Sequence, residues 1–541
     1  MNSHLLQCAV LLAILAAATV AWPAAALTFA RRIGHFAALL ARKKVFCWTG
    51  LGAMVLILRA ALLPIWPVPK PVIYDEFSYL LQADTFAHGR LTTPTHAMWP
   101  FFESIYILQK PSYASRYPPG QALMMSVGER AFGNAWFGVW LSAGILAAAL
   151  CWALQGWLPP RWALLGGAMS VQLCFFSYWM NSYWGGAVTA TGGALALGAY
   201  GRIARGERQY AWALGAGAVV LMMTRPYEGL LLLVPILFVL ARRDRSISVW
   251  GPLVLLGTAG AAWLGYYNFR VTGHVLRLPY QEYFAQYETV PPFNILPLGA
   301  TRTTRHFNLE WLDKGYATEL YRKSRSLLLL SSRPAEWSRA LQMMLGETVF
   351  AVPLILLAPI MRGSRRTRFP VILGAVMLAG SLIEVTFFPH YGAPFTAVVL
   401  VLAVASLRYL QLWKPGGRRV GLFLARALPL GAFAVMIGND ALLIARHKTP
   451  DRVQAVNSQR DTVAATLLDG HPGQHVIFVR YTGTQSPHEE WIYNPADIDA
   501  APVIWAQDMG EAENARLVSY YRGRQFWHFL PDEKPLRLTP Y

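Results

Sequence analysis

Length, composition and charge exclude an ordinary soluble protein. The chain has 541 residues, of which 55% are hydrophobic and only 14% charged, with a mean hydropathy of +0.33; soluble domains carry about 25% charged residues. The formal net charge is +19, but the basic residues stand in short clusters between apolar stretches, which is the positive-inside pattern of cytoplasmic loops. We therefore expect no nucleic-acid partner.

The basic clusters recur along the chain and predict the cytoplasmic ends of membrane spans. They comprise Arg31, Arg32, Arg42, Lys43 and Lys44; Arg202, Arg205 and Arg208; Arg242, Arg243 and Arg245; Arg362, Arg365, Arg366 and Arg368; and Lys414, Arg418 and Arg419.

Hydrophobic runs predict an all-α polytopic membrane protein with about twelve transmembrane helices. The first run begins after His4 without a basic n-region, so an uncleaved span is favoured over a signal peptide. The predicted spans are 5–28, 45–66, 134–157, 162–180, 186–201, 211–224, 228–241, 248–267, 340–361, 369–388, 392–412 and 420–445.

Alternation across the membrane then divides the chain into three parts. Residues 1–44 form an extra N-terminal span with a basic cytoplasmic loop, 45–446 form the transmembrane module, and 447–541 form a small soluble α/β domain outside. The same alternation places the segments 67–133 and 268–339 outside, together with the short turns near Asn181, Arg225 and His390.

The tail alternates helical and strand patterns. Residues 461–468 and 511–521 read as helices, and 475–481, 502–506 and 525–530 read as strands. The tail contains no sequence motif that indicates its function.

The four cysteines, Cys8, Cys47, Cys151 and Cys174, all lie in apolar stretches and form no Cys-x-x-Cys pair. Neither a disulfide framework nor a zinc site is predicted, and buried small hydrophobic side chains are the expected role.

Two adjacent carboxylates, Asp75 and Glu76, follow the second span and are the leading candidates for catalysis. A carboxylate at the membrane boundary can be tuned by desolvation and nearby cations to act as a general base. The competing interpretation is an acid pair that caps the helix beginning at Phe77. Asp84 lies near the same face of that helix if it runs on.

The rest of the first outside segment carries further candidate substrate-binding residues. They are Glu103, Lys110, Arg116 and Tyr117. The run Arg116-Tyr117-Pro118-Pro119-Gly120 predicts a rigid turn that holds Arg116 or Tyr117 toward a ligand, although a plain connector has the same composition.

Later turns add further candidates. Arg225 and Glu228 lie in a tight turn between apolar helices, where placing an ionisable side chain costs free energy. We therefore expect them either to bind a ligand or to pair with each other. Arg270 is a candidate to hold a phosphate, and His390 could contact a phosphate or cap a helix.

Together these elements resemble the GT-C superfamily of polytopic glycosyltransferases, in the bacterial protein O-mannosyltransferase-like and aminoarabinose-transferase-like branch. The elements that match are Asp75-Glu76 in the first large outside loop, the segment 77–89, the Pro-Pro-Gly run and the Thr224–Gly229 turn before a Leu-rich span. The resemblance covers roughly residues 45–415 of the chain.

The resemblance implies an inverting transfer of a sugar from a polyprenyl-phosphate donor to a glycan, lipid or protein acceptor at the outer face of a bacterial inner membrane. It implies Asp75 as the general base. The departing lipid phosphate is an anion that needs cations, for which Arg225, Arg116, Lys110 and Arg270 are candidates.

The chain departs from the family pattern in two places. Asn181 stands where members often carry an acid in the second outside loop, and the first span is additional to the core. Some members use a divalent metal; Glu76, Asp84 and Glu103 could ligate one, although no compact spacing requires it.

Two other functions remain open. A transporter or flippase of a lipid-linked sugar would show ionisable residues at mid-span and repeat symmetry; isolated cases such as Arg59, Glu347 and Glu384 occur without a repeat. An O-antigen ligase or polymerase-like enzyme would concentrate basic residues in a late outside loop, which 268–339 partly satisfies, but would not be expected to carry the first-loop acid pair.

Overall fold

The computed structural model describes residues 2–71, 73–346, 350–363, 365–445, 455–481, 490–533 and 536–541, and it is mostly helical. The α-helices are α1 (Asn2–Ala21), α2 (Pro23–Leu40), α3 (Lys44–Ala61), α4 (Tyr74–Ala87), α5 (Gly120–Phe132), α6 (Trp136–Gln155), α7 (Pro160–Phe176), α8 (Ala187–Ile203), α9 (Ala211–Thr224), α10 (Pro226–Arg243), α11 (Ile247–Thr272), α12 (Pro279–Tyr287), α13 (Phe307–Glu310), α14 (Thr318–Ser324), α15 (Leu328–Leu345), α16 (Leu357–Gly363), α17 (Arg365–Ser381), α18 (Thr396–Leu410), α19 (Val420–Ala445), α20 (Ala455–Gly470) and α21 (Glu511–Tyr520).

The strands belong to two small sheets. They are β1 (Thr93–Pro94), β2 (Ile107–Leu108), β3 (Ser112–Ser115), β4 (His475–Val479), β5 (Val503–Gln507), β6 (Gln525–Phe529) and β7 (Leu538–Pro540).

Five of the described helical stretches are long and apolar enough to cross a membrane, which makes this an integral membrane protein by length and composition. They are α3, α6, α11, the stretch Ala393–Leu410 that contains α18, and Val420–Asn439 within α19. Several of the other predicted spans are shorter helices; α9 has 14 residues and rises only about 21 Å, short of a hydrocarbon core of about 30 Å.

The two ends of the bundle differ in charge. At one end Gln155 donates to Lys44 O (3.0 Å), Arg205 donates to Gly156 O (2.6 Å) and Arg208 pairs with Asp244 (2.7 Å). These basic loops therefore meet at one end of the bundle, as the alternation of the spans predicts. The acidic start of α4 lies at the other.

Gly120 brings two distant basic turns close together. A Cβ on Gly120 would lie 2.5 Å from Thr224 Cγ2 and 2.8 Å from Met223 O, so only glycine permits this contact. The start of α5 therefore touches the end of α9, and this contact brings the turns that carry Arg116 and Arg225 together.

The tail elements form a mixed sheet in the order β5-β4-β6-β7. β4 pairs parallel with β5 and β6, α21 connects β5 to β6, and β7 pairs antiparallel with β6. α20, α21, β4, β5 and β6 each overlap an element that the sequence pattern predicts, whereas β7 was not predicted. The predicted domain boundary at 446–447 lies outside the described residues.

The tail shares a hydrophobic core with the first outside segment. That core joins Leu81 of α4, Phe101, Phe102 and Ile107 to tail residues that include Val476, Phe478, Ile504 and Leu517. Burying such side chains contributes about 1.5–3 kcal/mol each, so the tail packs as a continuation of this segment.

Two predicted spans have a different form in the structure. The stretch 5–28 is not one helix, because α1 ends at Ala21 and Pro23 begins α2. Proline has no N–H for a preceding helix and suits the first position of a new one. Arg31 and Arg32 consequently lie on α2, not in a loop.

The stretch 340–361 also differs from the prediction. α15 begins earlier, at Leu328, and ends where Gly346 adopts a positive φ of 77°. A 3-10 turn over Val352–Leu356 then leads into the short α16. Glu347 lies outside the described residues.

Candidate active site

Asp75 lies in the first turn of α4 and is buried, with 8% of its surface exposed. The hydroxyl of Tyr117 donates a hydrogen bond to its Oδ1. Burial raises the pKa of the Asp75 carboxyl above its usual value, whereas the Tyr117 hydrogen bond and the charges of Arg116 and Arg225 lower it. Asp75 is thus a desolvated carboxylate whose charge is supported by one hydroxyl and two cations.

Glu76 has a different environment from its neighbour. Its Oε2 accepts the backbone N–H of Ile73 (3.2 Å) at the start of α4, and its Oε1 accepts the backbone N–H of Tyr183 (2.9 Å). Adjacent helical residues point about 100° apart. Glu76 therefore fixes the helix start to the loop that follows α7, while Asp75 faces the cluster of tyrosines and arginines.

Arg116 forms the centre of that cluster. Its Nη1 lies 2.5 Å from Oε1 of Glu288, and both side chains are about nine-tenths buried. Its guanidinium lies 3.4 Å from the centre of the Tyr106 ring and 5.1 Å from that of Tyr283. Aromatic faces stabilise a desolvated guanidinium, so a buried cation is held beside Asp75.

Arg225 approaches the cluster from the junction of α9 and α10. Its Nη1 lies 3.4 Å from Oε1 of Glu228, and its guanidinium lies 4.1 Å from the centre of the Tyr391 ring. The mutual pairing of Arg225 with Glu228 is present, as one interpretation of the sequence predicts. The long contact leaves the guanidinium able to bind a second anion.

His390 lies in the same region. Its Nδ1 is 2.9 Å from the hydroxyl of Tyr178, and its ring lies 5.0 Å from that of Trp184. Burial and the charge of Arg225 lower the pKa of His390 well below its usual value. A neutral imidazole here positions aromatic side chains and adds no positive charge to the site.

Several residues of the cluster are absent from the sequence prediction. Glu288 and the tyrosines of α12 come from a segment far along the chain. Tyr280 and Tyr283 are spaced three residues apart, and the ring of Tyr280 lies 5.4 Å from that of Tyr117. Their spacing places them on one helical face, and that pattern is the signal that could have revealed them.

Four predicted residues lie elsewhere. Asp84 accepts the backbone N–H of Ala496 in the tail (2.7 Å). Glu103 accepts from the Tyr287 hydroxyl (3.0 Å) and lies 3.2 Å from His306. Lys110 and Arg270 are exposed, Lys110 over the Trp99 ring and Arg270 beside the Tyr266 hydroxyl.

The acids that could ligate a metal do not meet. Among the described residues, no three His, Cys, Asp or Glu side chains come together in a way that could hold a metal ion. Glu76, Asp84 and Glu103 bind the backbone N–H of Tyr183, the backbone N–H of Ala496 and the hydroxyl of Tyr287 respectively. This arrangement does not fit a resident divalent cation.

The cluster has the components for acid–base chemistry beside an anion. A buried carboxylate with a raised pKa can take a proton, and the two guanidiniums present fixed positive charge where a leaving anion would develop. Aromatic rings surround both groups and keep the local dielectric low.

No family model and no curated protein matches the chain. Among solved structures it is similar to ArnT from Cupriavidus metallidurans bound to undecaprenyl phosphate, with 15% identity over 90% of this chain and 93% of that one and a TM-score of 0.47. It is also similar to the Archaeoglobus fulgidus oligosaccharyltransferase in the apo form, with 13% identity over 90% and 69% of the two chains and a TM-score of 0.43.

A third similar structure is the oligosaccharyltransferase AglB from Archaeoglobus fulgidus in complex with an inhibitory peptide and a dolichol-phosphate, with 13% identity over 88% and 69% of the two chains and a TM-score of 0.38. With TM-scores below 0.5, these likenesses alone carry no argument about chemistry.

Proposed function

We propose that this chain is an integral membrane glycosyltransferase that moves a sugar from a polyprenyl-phosphate donor to the hydroxyl of a glycan, lipid or protein acceptor. The observation that carries the proposal is the buried Asp75, hydrogen-bonded by Tyr117 and lying in the field of Arg116 and Arg225. The family resemblance of the acid pair and of the Pro-Pro-Gly run supports the same reaction.

Asp75 acts as the general base. The acceptor O–H gives its proton to Asp75 as the acceptor oxygen forms a bond to the anomeric carbon of the sugar. The bond between that carbon and the phosphate oxygen breaks, and the lipid phosphate leaves with the electron pair. A single displacement of this kind inverts the anomeric configuration.

The two arginines stabilise the leaving phosphate. Guanidinium groups match phosphate oxygens with paired donors, and their effect is larger in a site from which aromatic rings exclude water. Glu288 compensates the charge of Arg116 while the site is empty of substrate. Since burial raises the pKa of Glu288 to about 7, this carboxyl can be neutralised when a phosphate arrives.

The site belongs to the outer face of a bacterial inner membrane in this proposal. The basic loops meet at the opposite end of the bundle, and positive loops stay in the cytoplasm. The tail would then be periplasmic as well.

The decisive experiment compares Asp75→Asn with wild type in membranes supplied with polyprenyl-phosphate sugars. We expect transfer to fall by about two to four orders of magnitude, the usual contribution of a general base. Asp497→Asn is the matched control, because Asp497 is an exposed acid of the tail. Full transfer by a normally expressed Asp75→Asn would remove Asp75 as the base, and movement of lipid-linked sugar without transfer would favour the transporter.

A further inference from the structure

The first two helices of the chain have different relations to α19, which is long and apolar enough to cross a membrane. α1 runs antiparallel along it. The Nε2 of Gln7 donates to Oδ1 of Asn439 (3.0 Å), and a Cβ on Gly431 would lie 2.5 Å from Cδ1 of Leu11, so rising numbers on α1 meet falling numbers on α19. α1 therefore shares the direction of a membrane-crossing helix.

α2 meets α19 at a single place. Ala26 and Ala30 pack against residues 423–427, and the Nη1 of Arg426 donates a hydrogen bond to the backbone oxygen of Ala30. A Cβ on Gly34 would lie 2.5 Å from the same Nη1. From Ala26 to Gly34 the helix rises about 12 Å, yet it stays beside little more than one turn of α19. α2 therefore crosses α19 and does not run along it.

Both ends of α2 lie at the basic end of the bundle, where the loops near Lys44 and Arg205 meet. At its start, Ala18 of α1 packs with the same cluster near the beginning of α19. At its end, the backbone oxygen of Leu40 accepts from Sγ of Cys47 (3.4 Å) in the first turn of α3. α2 is also not among the described stretches that are apolar enough to cross a membrane. A helix with both ends at one end of the bundle lies along the membrane surface.

α2 has an exposed apolar side and an exposed basic side. Phe29 and Phe36 are 46% and 64% exposed, and seven residues turn about 700°, so the two rings point within about 20° of each other. Arg31, also exposed, points about 160° from Phe29 and about 140° from Phe36. Trp22, just before the helix, is 68% exposed. Aromatic residues on one side and arginine on the other are typical of helices in the plane of a membrane interface.

The positive charge of this region is not compensated by nearby acids. Asp75 is the first acidic residue of the chain and lies at the other end of the bundle. Glu207 and Asp244, which lie at the basic end, pair with Arg205 and Arg208. Within the described residues, the cations of α2 and of the turn that follows it are exposed and can attract anions from outside the protein; they are Arg31, Arg32, Arg42, Lys43 and Lys44.

We propose that α2 lies in the plane of the membrane at the basic end of the bundle and binds anionic phospholipid headgroups through Arg31, Arg32 and the turn 42–44. The phenylalanines enter the acyl region of the leaflet, while the long basic side chains reach the lipid phosphates. Guanidinium groups match phosphate oxygens with paired donors. This attachment fixes the connection between α1 and α3 to the leaflet, and it does not depend on the proposed transfer reaction.

The first measurement counts lipids bound to the purified full-length protein in detergent by native mass spectrometry. One titration uses the anionic dioleoyl phosphatidylglycerol and the other the zwitterionic dioleoyl phosphatidylcholine. Wild type should bind phosphatidylglycerol more tightly. Arg31→Gln with Arg32→Gln should weaken that binding about ten- to thirtyfold, because each basic side chain near an anionic surface contributes a factor of about five. Residues 42–44 stay unchanged, which preserves the positive loop that sets the topology.

The matched control is Arg516→Gln with Arg522→Gln, which removes two exposed arginines of the tail and the same net charge. It should bind phosphatidylglycerol as wild type does. Three results overturn the proposal: wild type binds both lipids equally, the Arg31/Arg32 variant keeps the affinity of wild type for phosphatidylglycerol, or the control loses as much affinity as that variant.

A second measurement tests the orientation of α2 by itself. Ala25 and Leu39 are both exposed; fourteen residues place them about 21 Å apart along the helix and within about 40° of each other around it. Nitroxide labels at Ala25→Cys and Leu39→Cys, in a variant whose native cysteines are replaced by serine, should lie at the same depth in lipid nanodiscs. Their accessibility to oxygen and to a nickel chelate reports that depth. Depths that differ by about 20 Å, the length of the segment, would show that α2 crosses the membrane and would overturn the proposal.

Discussion

Tyr117 and Asp75 come from different elements and meet through one hydrogen bond. The Tyr117 ring also stacks on Tyr79, with centroids 4.3 Å apart and planes inclined by 14°, so the hydroxyl is held toward the carboxylate. A donor fixed in this way favours the charged form of the acid. Tyr117 therefore offsets part of the effect of burial on Asp75.

Changing Tyr117 to Phe should shift the pH dependence of transfer. The hydrogen bond lowers the pKa of Asp75, so its loss raises that pKa further, and a base must be deprotonated to act. The acidic limb of kcat/KM against pH should move upward by about one unit. An unmoved limb would show that Asp75 is not the titrating group; Tyr79→Phe, which keeps a ring in the stack, is the control.

Variants of Arg116 and Glu288 should distinguish an effect on folding stability from an effect on sugar transfer. Arg116→Gln leaves Glu288 buried without its cation, so we expect a lower melting temperature and a loss of transfer of about two orders of magnitude. Adding Glu288→Gln should restore much of the melting temperature because the unpaired charge is gone. Transfer should stay low in the double variant, and its recovery would contradict a role for Arg116 with the leaving phosphate.

Glu76 should behave as a positioning residue. In Glu76→Gln one of the two backbone N–H groups, of Ile73 or Tyr183, loses its acceptor, which should cost about 1–2 kcal/mol of unfolding free energy. The acidic limb of the pH profile should not move, because Asp75 keeps its hydroxyl partner. Thermal unfolding in detergent and the pH profile together check this; a shifted limb with unchanged stability would assign Glu76 to the chemistry.

Glu490 should make stability depend on pH. Its carboxylate is buried between the tail and the first outside segment, accepting from Ile492 N (2.9 Å) and lying 3.4 Å from Ile105 N. Burial raises its pKa to about 7 from an ordinary value of 4.5. The stability that the folded, protonated form contributes is complete below the ordinary value and is lost as pH rises toward 7.

The measurement is the melting temperature of wild type and Glu490→Gln between pH 5 and 7. Wild type should lose stability over this range more steeply than the variant, which has no proton to release. Glu511→Gln, on the first turn of α21, is the control. Parallel slopes in all three proteins would contradict the assignment.

Local patterns predicted much of the fold. The strongly apolar runs of α3, α6, α11, α18 and α19 lie where hydropathy places them, and the alternation in the tail corresponds to its helices and strands. Pro23 is a local signal for the start of a new helix. It lies within a continuous apolar run, and the run alone predicts one span over 5–28.

The candidate site was predictable only in part. Asp75, Arg116 and Arg225 stand in short motifs and could be named, but Glu288 is 172 residues from Arg116, and no local pattern specifies a contact at that separation. Likewise, the sequence makes Asp84 and Glu103 candidates for binding a substrate or a metal. In the structure they accept hydrogen bonds from Ala496 and Tyr287 instead, because tertiary packing brings those residues to them.

The core shared by the tail and α4 has a consequence for biosynthesis. Leu81, Phe101 and Phe102 are made early, but their partners near Ile504 and Leu517 follow much later in the chain. Until those residues arrive, α4, whose first turn holds Asp75, lacks part of its packing surface. A chain that stops before these residues would thus present apolar side chains to quality-control proteases, so residues of the tail determine whether the acidic start of α4 is packed.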